Sequence, residues 1–161
     1  MKNFSLFLLA VAVAACSGPP ADTPVKGYYR ADGKESTLGY VRSAKGDTTY
    51  SSAPSIDLAF TEKDASDARD LTANTIAFSH KYGSAIVVNV FKQTDGTYAI
   101  DGGAFHHSLS DKAGGNGGNL QIKDVVVDNG VMSGEVFTPP DTTMFDVKVD
   151  IELKFKVPLP K

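Results

Sequence analysis

The chain has 161 residues, a usual length for a single globular domain. Its 16 basic and 19 acidic residues give a net charge of −3, which argues against nucleic acid as a partner. The single cysteine, Cys16, excludes an intramolecular disulfide and leaves one thiol to be explained if the protein is exported.

The amino-terminal segment has the pattern of a secretory signal. Lys2 is followed by residues 4–15, which are apolar or small and carry no charge. A spanning helix needs about 20 apolar residues, so this stretch is too short to remain in a bilayer. A basic start, a short apolar run and small residues at its end predict a cleaved signal peptide over residues 1–15.

The end of that segment, Val13-Ala14-Ala15-Cys16, resembles the lipobox of bacterial lipoproteins. The resemblance implies that the Cys16 thiol carries a diacylglycerol and that the new amino terminus is acylated, for example with palmitate. Two or three acyl chains would hold the protein durably in a membrane. Ser17 stands where enteric lipoproteins retained at the inner membrane have Asp, so the resemblance implies an outer-membrane anchor. We expect the domain to face the periplasm, with the cell exterior as the alternative.

Residues 17–26 contain three prolines and a glycine without a large apolar cluster, which is typical of a linker. We therefore expect a lipidated cysteine and tether over residues 16–26 and a single domain over residues 27–161. The first elements of that domain are short strand candidates with an Asp32-Gly33 turn. They cover residues 27–30, 37–43 and 56–60.

The middle of the chain predicts a short helix and a central hairpin. Thr61 and the acidic residues after it resemble a helix start, so residues 62–71 are the helix candidate. Residues 74–80 are expected to form a strand. Residues 84–92 are apolar on both faces, which indicates a central strand. The Asp95-Gly96 turn leads to a return strand over residues 98–107, with a bulge or bend at Gly102-Gly103.

The last third continues with antiparallel signals. Residues 119–127 and 131–138 flank an Asp-Asn-Gly turn. Residues 145–157 alternate between apolar and charged side chains, which predicts a strand with one buried and one solvated face. If that strand lies at a sheet edge, its charges would also discourage edge pairing. Together these patterns predict an all-β fold: an antiparallel β-sandwich or barrel of about eight or nine strands with at most one short helix.

No catalytic or cofactor motif stands out. His106, His107 and Asp101 are the candidate metal ligands, although neighbouring residues on a strand point to opposite faces, so both histidines could enter one site only if the strand bulges. A Ser-His-Asp arrangement with Ser108 has no support beyond residue types. The glycine-rich loop over residues 111–119, with Asp111, Asn116 and Asn119, is a weak candidate for binding a partner.

These features favour a non-enzymatic binding domain on a lipid anchor, with no cofactor. An inhibitor or immunity protein that binds another envelope protein is the leading hypothesis. One alternative is a lipocalin-like carrier of a small ligand, and another is an accessory subunit of an envelope assembly machine. The carrier would need an apolar cavity, lined by Ile86, Val88, Val90 and Phe105.

Overall fold

The computed structural model describes residues 24–46, 54–115, 119–144 and 146–161. Cys16 and nearly all of the tether lie outside these ranges, as do Asn116 and Phe145. The described chain forms eleven strands and one helical turn, and all of its strand pairs are antiparallel. This confirms the predicted all-β sandwich. None of the helices in the described ranges has the length and apolarity needed to cross a membrane.

The strands belong to two sheets. The elements are β1 (Val25–Ala31), β2 (Lys34–Ser36), β3 (Tyr40–Lys45), β4 (Ser55–Thr61), α1 (Ala73–Ile76), β5 (Ala85–Lys92), β6 (Tyr98–His107), β7 (Lys112–Gly115), β8 (Gln121–Asp128), β9 (Val131–Phe137), β10 (Thr143–Met144) and β11 (Val147–Pro158). Sheet A has the order β2-β1-β11-β9-β8, with β10 paired to β11, and sheet B has the order β3-β4-β5-β6-β7.

The described strands outnumber the predicted eight or nine because β2, β7 and β10 are only two to four residues long. Segments of that length show no periodicity that a sequence pattern could reveal. Strand β7 also corrects the expectation for the glycine-rich segment, because its first part is a paired edge strand rather than a loop. Neither edge of sheet B is long: β3 has six residues and β7 has four.

Strand β11 organises sheet A. Its apolar residues are all at most 5% exposed and face sheet B, while the charged residues between them face outward. It lies between β1 and β9, so it is a central strand and its charges do not protect an edge. The buried residues are Val147, Val149, Ile151, Leu153, Phe155 and Val157.

Strand β5 is central in sheet B and covered on both faces, as predicted. Ile86 and Val88 pack in the main core between the sheets. Ala85 and Val87 pack against a second cluster, which is formed by residues 65–82 of the β4–β5 connection. This connection therefore covers the outer face of sheet B.

The β4–β5 connection corrects two predictions. Residues 62–71 form turns and bends, not a helix, although Ala65, Ala68 and Leu71 are buried as a helical face would require. The helical turn begins after Thr72, whose side chain accepts a hydrogen bond from the Thr75 amide, and it occupies part of the segment expected to be a strand. Thr61 instead ends β4, so the capping pattern was misleading.

Gly27 provides a test of how closely β1 and β11 pack. Its φ is +132°, and a Cβ atom there would lie 1.8 Å from the Glu152 carbonyl oxygen. We expect Gly27→Ala to reduce the free energy of unfolding by about 3 kcal/mol or more, from backbone strain and overpacking. Chemical denaturation would measure this. Gly102→Ala is the control, because a Cβ there meets no atom within 4 Å. Equal stability of both variants would contradict the expected clash.

Candidate functional site

A bulge in β6 determines where its two histidines point. Asn89 pairs with Gly102, whereas Val90 pairs with Ile100, so Asp101 is an extra residue without a cross-strand partner. The bulge therefore lies one residue before the expected Gly102-Gly103 pair. Beyond it, alternate residues face opposite sides of sheet B.

His107 points inward. It is fully buried, and its ring packs edge-on against Tyr29 of β1 with 4.7 Å between ring centroids. Its Nδ1 accepts a hydrogen bond of 3.3 Å from the Ser110 amide. Burial lowers the pKa of His107, and this effect is opposed by backbone groups of Tyr29 and Lys34. His107 is thus part of the contact between the two sheets.

His106 points outward, under the β4–β5 connection. It is 3% exposed, and its Nδ1 lies 2.9 Å from the Gly83 carbonyl oxygen. Its Nε2 is buried and has no hydrogen-bond partner within the described part of the chain. The His80 ring covers it, with centroids 4.0 Å apart and planes inclined by 55°.

Asp111 completes a three-residue cluster that could hold a metal ion. One donor atom from each of His80, His106 and Asp111 lies within 4.8 Å of the others. His80 and Asp111 are exposed, and each has a left-handed backbone, with φ of 59° and 52°. Of the three metal ligands considered from the sequence, only His106 belongs to this cluster. Among the described residues, His107 and Asp101 are not part of any such group.

A polar network lies beside this cluster. Glu62 Oε2 accepts hydrogen bonds from the Ser84 amide at 2.8 Å and from the Ser108 hydroxyl at 3.0 Å. Ser84 Oγ lies 2.7 Å from Ser36 Oγ and 2.9 Å from Ser108 Oγ. The Ser84 amide, together with the two serine hydroxyls and Lys63, lowers the pKa of Glu62 below its usual value, although burial acts in the opposite direction. Ser108 is therefore engaged with Glu62 and Ser84, an arrangement that orders the loop after β6.

The outer face of sheet A is the second candidate surface. A groove of about 400 Å³ runs beside residues 137–141 and the outward side chains of neighbouring strands. The Arg30 guanidinium lies 4.0 Å from the Tyr28 ring centroid, and Lys123 Nζ lies 4.6 Å from that of Phe137. Lys123 also pairs with Glu135 at 2.7 Å. This face therefore combines aromatic rings with charges of both signs.

The other predicted positions are dispersed. Asn119 is exposed, and its amide nitrogen is 3.5 Å from the Thr143 carbonyl oxygen. Asp111 lies at the other end of the glycine-rich segment. The four residues expected to line a ligand cavity are at most 1% exposed and pack in the core between the sheets. None of the four lines the groove at residues 137–141, the one beside Asn129 or the one beside Thr72.

Sequence reasoning missed His80 and the role of Gly83. The sequence predicts a strand over residues 74–80, and His80 lies 26 residues before His106, so no local spacing links the two histidines. A glycine at position 83 is typical of a turn before β5, but the contact of its carbonyl oxygen with His106 depends on the fold. Gly83 has a left-handed backbone, with φ of 72°, and the glycine itself is the local sequence signal for this conformation.

Glu62 gives the network a measurable pH dependence. Its folded-state pKa is lowered, so the carboxylate contributes stability above the unfolded-state value of 4.5 and loses it as pH falls below that value. We expect Glu62→Gln to be less stable than the wild type near pH 7 and to approach it in acid. Urea unfolding from pH 7 to pH 3 would measure the difference. A constant difference over this range would show that the charge has no role.

Comparisons of the chain with protein-family models, with curated proteins and with solved structures find no match. Two features of the described chain are candidates for a functional site. One is the His80, His106 and Asp111 cluster beside the covered face of sheet B. The other is the open, charged and aromatic face of sheet A.

Proposed function

We propose that this protein is a lipid-anchored lipoprotein of the cell envelope whose β-sandwich is a non-enzymatic binding domain for another protein. The observation that carries the binding role is the outer face of sheet A. The β4–β5 connection packs against the outer face of sheet B, whereas the groove on sheet A is open and polar. In the described part of the chain, the outer face of sheet A is thus open to a partner, whereas that of sheet B is covered by this connection.

The side chains on the outer face of sheet A are of the types found at protein–protein interfaces. Aromatic residues and arginine are enriched at such interfaces and supply much of their binding energy. Tyr28 and Phe137 are half-buried and line the groove, where they pair with Glu152 of β11 from its two sides. Pro139, Pro140 and Asp141 of the segment after β9 also line it. A flat contact with these rings would bury apolar area without disturbing the core.

The face is also held in one arrangement before any partner binds. Arg30 is stacked on Tyr28 and pairs with Glu35 at 2.7 Å and with Asp150 at 3.4 Å. The Tyr28 hydroxyl donates a hydrogen bond to Asp150. Side chains that are already ordered lose less conformational entropy on binding, so their contacts contribute more to affinity.

The charge pattern indicates the class of partner. Lys148, Asp150, Glu152 and Lys154 mix both signs along β11, and the whole chain is mildly acidic. A nucleic acid or an anionic bilayer would call for a predominantly basic surface. A folded protein of mixed surface charge fits this face better, and a hydrolase acting in the envelope is the partner that we favour.

The anchor places this domain next to a membrane. Cys16 and the preceding residues lie outside the described part of the chain, so lipidation rests on the lipobox resemblance. The described domain begins at Pro24, eight residues after Cys16, and β1 begins at Val25. In an extended conformation these eight residues span at most about 29 Å, which would keep the binding face close to the bilayer.

Substitution of the anchor residue tests localisation. We expect Cys16→Ala to abolish labelling of the protein by a clickable palmitate analogue, because the acceptor thiol is gone. Ser17→Ala is the control and should be labelled normally. Ser17→Asp should keep the label but move the protein from outer-membrane to inner-membrane fractions on a density gradient. Undiminished labelling of Cys16→Ala would refute the lipoprotein proposal.

Substitution of the two aromatic residues tests the binding face. The full-length protein would be crosslinked in cells, its partner identified, and the affinity measured with both purified proteins. We expect the double variant Tyr28→Ala/Phe137→Ala to bind at least about tenfold more weakly, as for interface hot spots. Tyr40→Ala is the matched control, because Tyr40 is 37% exposed on β3 of the other sheet. Equal affinity of the wild type and the double variant would place the interface elsewhere.

A further inference from the structure

We propose that His80, His106 and Asp111 form a binding site for a divalent transition-metal ion of the zinc class. This site goes beyond the protein-binding role and does not depend on it. Its three residues come from the β4–β5 connection, the end of β6 and the β6–β7 loop. The surface around it is separate from the open face of sheet A.

The hydrogen bond and burial of the His106 ring carry the proposal. A carbonyl oxygen only accepts hydrogen bonds, so His106 Nδ1 must donate its proton to Gly83. In the neutral imidazole, Nε2 then carries the lone pair. That nitrogen is buried without a hydrogen-bond partner in the described chain, which is costly for a polar atom. Histidine ligands of metals commonly donate their other ring proton to a backbone carbonyl in this way.

The side chains of His80 and Asp111 can close on the buried His106 ring. Bonds of about 2.0–2.2 Å to zinc place tetrahedral ligands roughly 3.3 Å apart. The donors here are within 4.8 Å of one another, so a shift of about 1.5 Å would bring them to that spacing. His80 and Asp111 are both exposed, so there is solvent around their side chains into which they can rotate. Movement of the His80 ring would also open the approach to His106.

The donor set indicates the class of ion. Two imidazole nitrogens and one carboxylate suit zinc and its neighbours in the first transition series, whereas calcium and magnesium prefer oxygen ligands. Three protein ligands leave at least one coordination position for water or for a donor from a partner. The bulge at Asp101 matters here, because it determines that His106, not His107, faces His80.

Two residues of the cluster have left-handed backbone conformations, which limits the choice of test variants. His80 and Asp111 are among seven described non-glycine residues with positive φ. Histidine, asparagine and aspartate tolerate this region best. Asparagine can therefore replace either ligand without altering the backbone preference, which makes His80→Asn and Asp111→Asn suitable test variants. Asp101→Asn is the matched control, because it removes an exposed carboxylate from β6 outside the cluster.

The experiment uses the full-length protein purified in detergent and treated with a chelator. Zinc alone is titrated calorimetrically, and cobalt is added in parallel to follow its visible absorption. We expect one zinc per chain, and a rise in melting temperature of about 5–10 °C at a hundredfold excess over Kd. His80→Asn and Asp111→Asn should bind at least about tenfold more weakly and change the cobalt spectrum. Asp101→Asn should behave as the wild type.

Three results would overturn the proposal. The first is an absence of saturable zinc binding by the wild type. The second is unchanged affinity in both ligand variants, which would place the ion elsewhere. The third is an equal loss of zinc affinity in Asp101→Asn, which would indicate that the net charge of the surface, and not this cluster, determines binding. Circular dichroism of each variant without metal would confirm that it is folded, so that a loss of binding reports on the site.

Discussion

The single extra residue at Asp101 is the constraint on which both faces of sheet B depend. Because strand residues alternate, one inserted residue reverses the side on which every later side chain lies. Without it, Phe105 and His107 would leave the core and His106 would enter it. With it, His107 packs on Tyr29 and joins the two sheets, while His106 meets Gly83 and His80. The bulge thereby separates a structural histidine from one available for chemistry.

The sequence was sufficient to predict the parts of the fold that depend on long patterns. The alternation in β11 and the two-faced apolar run of β5 correspond to a half-solvated strand and a doubly covered strand. The two-residue turns at Asp32-Gly33 and Asn129-Gly130 have positive φ at both positions, as mirror-image hairpin turns require. The β6 strand has the predicted bounds because a strong turn and a polar loop define both of its ends.

The parts that could not be predicted depend on tertiary contacts. The segment from Glu62 to Leu71 buries alanines at helical spacing, but it does so as turns lying on Ala59, Ala85 and Val87. Arg42 fixes these turns by donating hydrogen bonds to the Ala65 and Ala68 carbonyls, and nothing local encodes that contact. The His80, His106 and Asp111 cluster is similar, since its members come from separate connections. The tautomer of His106 depends on a carbonyl that only the folded chain supplies.

The two sheets thus divide the surface of the sandwich into different environments. Sheet A needs the alternating charges of β11 because its outer face is solvated, and those charges with Tyr28 and Phe137 create an interface-like surface. Sheet B can have apolar residues on both faces because the β4–β5 connection covers it. That same cover brings His80 over His106 and positions Glu62 to order Ser84 and Ser108. The β4–β5 connection is thus required to bury Ala85 and Val87, and in doing so it also brings His80 to His106. The proposed metal site is therefore a consequence of how this connection covers sheet B.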